Sequence, residues 1–268
     1  MPTARSRLKE SSRKAKKPSV KEREESPPLR RTLVVDVGGS GIKATVLNDL
    51  AKPVTERLRR ESPASGMPGA VIDVIVELAN ELGEYERVAV GFPGVVINGV
   101  AMDAPNLAKE WQGFNIAESI QARLKKPVRI ANDADVQGFG AIAGNGVELV
   151  VTLGTGVGTS LFVDGRLAPN LEIGNDKLRN SALQKVGKKR WNKRLIKFIK
   201  RLDETFHFKK LYIGGGNSKE VDVSTLPANV TIISNLNGLV GGIALWREGP
   251  PLTVPAATTE GNGHPLAA

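Results

Sequence analysis

The sequence predicts a mixed α/β protein built from two related lobes. Two glycine-rich segments, Asp36-Val37-Gly38-Gly39-Ser40-Gly41-Ile42-Lys43 and Gly154-Thr155-Gly156-Val157-Gly158-Thr159-Ser160, lie about 115 residues apart. Each falls between two stretches with the β-branched content and alternation of strands. In both halves the hairpin is followed by strands that alternate with helical periodicity, as in a duplicated α/β pattern.

The elements follow in order. Residues 32–37 form an apolar run and read as a buried strand. Residues 42–48 alternate Ile, Ala and Val with Lys and Thr, as a half-buried strand does. Residues 70–82 carry apolar side chains at helical spacing and precede a strand at 87–91. A helix over 114–124 and a short strand over 128–131 come next. Asn132 is placed to cap a helix over 133–143. Strands at 149–153 and 160–163 flank the second glycine segment, and Asp164-Gly165 reads as a hairpin turn. A long helix over 189–206, strands at 210–213 and 231–234, and a closing helix within 238–247 complete the pattern. The first lobe spans 32–131, with the closing helix packed back on it, and the second spans 132–237. Residues 1–31 and 248–268 lack the apolar content for a core and are expected to be disordered.

Composition excludes several chemistries. The chain has no cysteine and only two histidines, His207 and His264, so thiol catalysis, disulfides and a zinc centre are not expected. No apolar run reaches the ~20 residues of a membrane span. The charged N-terminus has no apolar signal core, so a cytoplasmic location is expected. The net charge of +10 is uneven. Residues 177–210 hold thirteen Lys and Arg against two acids, and residues 1–31 hold eleven against four.

The glycine segments suit anions, because successive backbone N–H groups in such turns cradle phosphate. Glycine allows positive φ and close approach of a ligand. Neither segment is a P-loop, which requires Gly-Lys-Ser/Thr. Nor is the second a dinucleotide fingerprint, since that motif opens a helix and a strand follows here. They are either phosphate loops or ordinary tight hairpins. Asp36, at a strand end facing the first loop, is either a Mg²⁺ partner acting through water or a turn-forming side chain.

Taken together, the motifs resemble the ROK family (repressor, open reading frame, kinase). They are Asp36–Lys43, Gly91-Phe-Pro-Gly94, Pro105-Asn106-Leu, Asn132-Asp133-Ala, Leu153–Gly158, Asp164-Gly165, Leu171-Glu172-Ile-Gly174 and Ile213–Gly216, in this order. Within the family the chain looks most like the polyphosphate-using glucokinase branch. The resemblance implies a two-lobed actin/hexokinase/Hsp70-like fold, of the ribonuclease H-like class, with ligands in the interlobe cleft.

It also implies roles. Asp133 matches the general base that takes the proton of a sugar hydroxyl. Asn106, Asn132, Asp133 and Glu172 match sugar contacts. Gly38, Gly39, Ser40, Gly41 and Lys43 match one phosphate loop, and Gly154, Thr155 and Gly156 the other. Gly214, Gly215 and Gly216 match the turn beside a nucleoside. The implied partners are a hexose, foremost glucose, with polyphosphate, ATP or both as donor and Mg²⁺ as cofactor. A homodimer is the assembly the resemblance allows, and neither a membrane nor nucleic acid is an expected partner. Read locally, Asn132 is an N-cap and Asp133 a first-turn acid.

Two features depart from the family pattern. Many members carry Gly-His followed by a zinc-binding cysteine cluster, where this chain has Gly174-Asn175 and no cysteine. That leaves the choice of hexose open and admits an alternative, a non-catalytic sugar- or polyanion-binding protein. The second feature is the basic run of 188–201, with eight cations in fourteen residues. Trp191, Leu195, Phe198, Ile199 and Leu202 form an apolar stripe on it. Lys188, Lys189, Arg190, Lys193, Arg194 and Lys197 are either a solvated face or a track for a polyanion such as polyphosphate.

Overall fold

The computed structural model describes residues 29–246 apart from 105, 106, 169, 170, 172 and 235. The disorder expected of 1–31 and 248–268 lies outside the described residues except at 29–31, where Arg31 already opens the first strand. Among those described, two five-stranded sheets carry the fold, and they have the same topology.

In the first sheet, β1 (Arg31–Val37) and β2 (Ile42–Asn48) form the antiparallel hairpin around the first glycine loop. The short β3 (Leu58–Arg60) extends its edge. Helix α1 (Pro68–Leu82) crosses to β4 (Arg87–Phe92), which lies parallel to β1. A small hairpin of β5 (Val95–Ile97) and β6 (Val100–Asp103) follows, then α2 (Ile116–Leu124). Strand β7 (Val128–Asn132) closes the sheet parallel to β4, and α3 (Asp133–Phe139) leaves it directly.

The second sheet repeats this plan. β8 (Val147–Leu153) and β9 (Val157–Val163) form the hairpin and β10 (Arg166–Ala168) the edge. Helix α4 (Asn180–Phe206) crosses to β11 (Lys210–Gly214), parallel to β8. β12 (Val230–Ile232) follows, and α5 (Leu236–Ala244) leaves it.

Strand alternation sends side chains to both faces of each sheet. Leu33, Val35 and Val37 pack outward against α1 and α2, whereas Val34 faces inward with Leu239 and Ile243 of α5. In the second sheet Leu149, Val151 and Leu153 pack against Trp191, Leu195 and Ile199 of α4. Val150 and Tyr212 face inward with Phe162 and Ile142. So α5 returns to cover the first sheet, and α3 lies against both sheets.

α3 and α5 cross through glycine. An added Cβ on Gly140 would lie 2.0 Å from the Asn237 carbonyl oxygen, and one on Gly241 1.7 Å from that of Val136. Backbones this close leave no room for any side chain at the crossing.

Several elements differ from expectation. The helix expected over 133–143 ends at Phe139, and Gly140 follows as its C-cap. α4 starts earlier than expected and is broken at Gly187, where φ of 75° requires glycine. Asp164 and Gly165 both take positive φ, 49° and 77°, as a two-residue hairpin turn demands.

Candidate active site

The two glycine loops face one another across a cleft of about 570 Å³ between the sheets. An added Cβ on Gly39 would stand 3.8 Å from Thr155 Oγ1, so the loop tips are within van der Waals reach.

Each loop is held from behind. The carbonyl of Gly38 accepts from Ser62 Oγ at 2.5 Å, and that of Ser40 from Arg59 Nη2 at 3.0 Å. The carbonyl of Gly154 accepts from Asn180 N at 2.9 Å and Asn217 Nδ2 at 3.2 Å. These contacts take up carbonyls and leave amides. Among the described residues, the N–H groups of Gly39, Ser40, Thr155 and Gly156 have no protein acceptor. Such aligned, unused donors suit the oxygens of a phosphate chain.

The glycines serve this differently from expectation. None of Gly38, Gly39, Gly41, Gly154, Gly156 or Gly158 has positive φ. They provide room instead. An added Cβ on Gly38 would meet the Gly41 oxygen at 2.9 Å, and one on Gly158 would meet Thr152 Oγ1 at 2.5 Å.

Asp133 stands on the cleft wall at the first turn of α3, its Oδ1 accepting from Ala134 N at 2.7 Å. The positive end of the α3 backbone dipole lies at this carboxylate. Asn132 is buried and caps α3, accepting from Ala134 N at 2.8 Å, while its Nδ2 donates to the Gly94 carbonyl at 3.1 Å. The cap is therefore real, and Asn132 still lines the cleft. It ties α3 to the Pro93-Gly94 turn and so fixes the position of Asp133.

Asp36 and Lys43 both line the cleft and pair with each other, Lys43 Nζ lying 3.0 Å from Asp36 Oδ2. They are register partners on β1 and β2, which places both side chains on one face. Asp36 thus faces the loop already partly neutralised. One carboxylate suits Mg²⁺ that keeps most of its waters and shares them with substrate phosphates. Among the described residues no cluster of three or more acids or histidines could hold a metal without such a substrate.

Of the other expected residues, Gly215 and Gly216 line the cleft. Gly214 does not. It packs on Gln137, where an added Cβ would meet Oε1 at 2.7 Å. Gly41 lies beneath the Arg59 guanidinium. Asn106 and Glu172 lie outside the described residues. Asn175 lines a separate groove rather than the cleft, and its Oδ1 accepts from Lys177 N at 3.2 Å. Lys188, Lys189, Arg190, Lys193, Arg194 and Lys197 are all outside the cleft, and only Arg194 and Lys197 of these line that groove.

Several cleft residues escaped the sequence reading, Asp103, Asn180 and Asn217 among them. Gln137 follows Asp133 by four positions, so helical periodicity carried the signal. Arg179 and Lys219 also line the cleft, but one follows and the other lies within a short 3-10 turn, with no periodic pattern to place it.

Comparisons with known proteins agree with this architecture. The sequence profile of the ROK family matches residues 32–170. A polyphosphate glucokinase of Mycobacterium tuberculosis is 30% identical over 232 residues, covering 77% of this chain and 88% of the relative. The crystal structure of an inorganic polyphosphate/ATP-glucomannokinase from Arthrobacter sp. superposes with a TM-score of 0.73 at 29% identity. It covers 81% of this chain and 100% of that one. A ROK family glucokinase from Streptomyces griseus, solved with glucose and AMPPNP, superposes with a TM-score of 0.64 at 18% identity, covering 80% and 98%. The fold is the two-lobed actin/hexokinase type.

Proposed function

The chain belongs to the ROK family, and from that premise we propose that it is a hexose kinase, foremost a glucokinase, fed by polyphosphate, ATP or both. The observation that carries this reading is the Asp133 carboxylate in a cleft whose two loops offer unused N–H donors. The chain's likeness to a polyphosphate glucokinase and to an inorganic polyphosphate/ATP-glucomannokinase supports it.

In the proposed reaction the sugar 6-hydroxyl lies against Asp133. Its proton passes to the carboxylate as the oxygen attacks the terminal phosphorus. The new O–P bond forms as the bond to the leaving phosphate breaks, and the leaving group is a shortened polyphosphate or ADP. The loop N–H groups of Gly39, Ser40, Thr155 and Gly156 would stabilise the charge on the phosphoryl oxygens. Mg²⁺, held by the donor phosphates and through water by Asp36, would supply further charge neutralisation. Asn132 keeps Asp133 in place, and Asn106 and Glu172 would hold the remaining sugar hydroxyls. Gly215 and Gly216 would border the nucleoside when ATP is the donor.

Incubation with a panel of hexoses and either ATP or polyphosphate, followed by coupled detection of hexose 6-phosphate, tests the reading. Phosphorylation of glucose with at least one donor is expected. Sugar binding without transfer to any hexose would replace it with a non-catalytic binding protein.

A further inference from the structure

A second groove, of about 880 Å³, runs along α4 outside the cleft. Its floor includes Phe198 and its walls carry Lys177, Arg194, Lys197 and Arg201. We propose that this groove is a distal polyphosphate subsite, which holds the part of a long chain that extends beyond the cleft. The proposal rests on the donor reading above and goes beyond it in location and residues.

Several observations point there. The groove and the cleft share Gly174, and among the described residues an added Cβ at that glycine would meet nothing within 4 Å. Gly174 is thus a lining residue common to both, and it puts no side chain between them. Arg179 stands on the cleft side, across the 3-10 turn Asp176–Leu178, and Lys177 on the groove side. Cations thus continue from one site into the other.

The groove lining holds one acid, Asp176, and its ion pair is with Arg179 on the cleft side. Arg179 pairs with Asp176 at 2.8 Å, Lys188 with Glu220 and Lys200 with Glu204. Lys177, Arg194, Lys197 and Arg201 are in no ion pair among the described residues. The carbonyl of Lys177 accepts from Arg194 Nη1 at 3.5 Å, which joins the two walls.

Positions 194, 197 and 201 fall on one face of the helix over about 10 Å. Like charges at these spacings repel and destabilise a free helix. A linear polyanion lying along the stripe would convert that repulsion into attraction, with strong salt dependence. Nucleic acid fits less well, because single strands need exposed aromatic platforms. Here Phe198 is buried and Phe206 half-buried.

The test compares two triple variants with equal change in net charge. Arg194→Glu/Lys197→Glu/Arg201→Glu alters the groove, and Lys52→Glu/Lys109→Glu/Lys125→Glu alters exposed lysines of the first lobe. With polyphosphate of about a hundred units, the groove variant should raise KM roughly tenfold or more at low salt and flatten its salt dependence. Its kcat, and its kinetics with tripolyphosphate and ATP, should match wild type. The first-lobe variant should resemble wild type throughout. Direct binding of labelled long-chain polyphosphate is measured alongside by fluorescence anisotropy.

Equal effects of the two triples on long chains would overturn the groove while leaving the donor reading intact. Binding by wild type that is lost in the groove variant, with no transfer from polyphosphate, would retain the groove and overturn the donor. Displacement of the label by single-stranded RNA of equal charge, from wild type but not from the groove variant, would assign the groove to nucleic acid and overturn the proposal.

Discussion

Gly158 occupies the position on β9 that Lys43 occupies on β2, and Thr152 is the counterpart of Asp36. Asp36 pairs in register with Lys43, and Thr152 with Gly158. One lobe thus presents an ion pair where the other presents a hydroxyl and a space. That space receives Asp133, whose Oδ1 lies 3.7 Å from where a Gly158 Cβ would be. Gly158→Ala would press on Thr152 Oγ1 and on Ala134 Cβ at 3.0 Å, the residue next to Asp133. Small displacements of a reacting group are costly, so turnover should fall roughly tenfold to a hundredfold with the circular dichroism spectrum unchanged. Adding Thr152→Ala should restore part of it, as steady-state kinetics of the double variant will show.

Tyr212 supports the same lobe from within. Buried Glu148 accepts from Tyr212 Oη at 2.8 Å and from the N–H groups of Ala143, Gly144 and Asn145. Burial, then the bond to Glu148, pushes the Tyr212 phenol above its ordinary range. A raised pKa in the folded state stabilises below the unfolded value, about 10, and that contribution is lost as pH rises beyond it. Tyr212→Phe should therefore cost about 1–2 kcal/mol at pH 7 in urea unfolding. Above pH 10 the gap between the two proteins should narrow.

At the scale of elements, α3 and α5 are the joint. Each leaves the last parallel strand of its sheet, and they cross where only glycine fits. Gly241→Ala drives a methyl group toward the Val136 carbonyl and forces the backbones apart. Overpacking of this kind should cost roughly 1–3 kcal/mol, measurable by equilibrium unfolding. Here the sequence was legible only in part. β2 matches its expected bounds residue by residue, because its alternation runs unbroken from Ile42 to Val46, but it is buried on both faces rather than half-buried. α3 was read four residues too long, since Gly140 ends it for the sake of a helix nearly a hundred residues away. β3 and β10 have three residues each, too few for any period to register. The loop glycines were legible as glycines but not for their reason, which is space against tertiary neighbours rather than positive φ. Apolar periodicity placed the α4 stripe correctly, since Trp191, Leu195, Phe198, Ile199 and Leu202 are all buried. It did not show which cations would border a groove, because that depends on the chain at 173–177 folding beside them.

The whole molecule is a repeated sheet plan made asymmetric at its centre. Both hairpins turn their glycine loops toward one cleft, and one helix start, at Asp133, would supply the acceptor side of the proposed reaction. Neither lobe has all these parts. The glycine loops come from both, and Asp133, the base of the proposed reaction, stands where the chain passes from one to the other. The account therefore rests on Asp133 acting in the cleft, and ³¹P NMR of hexose 6-phosphate formation by Asp133→Asn tests it most directly. The exchange keeps the size of the side chain, so thermal unfolding should match wild type. The rate of transfer from the preferred donor to glucose should fall by roughly two to four orders of magnitude. A folded Asp133→Asn protein that phosphorylates glucose at the wild-type rate would contradict the account.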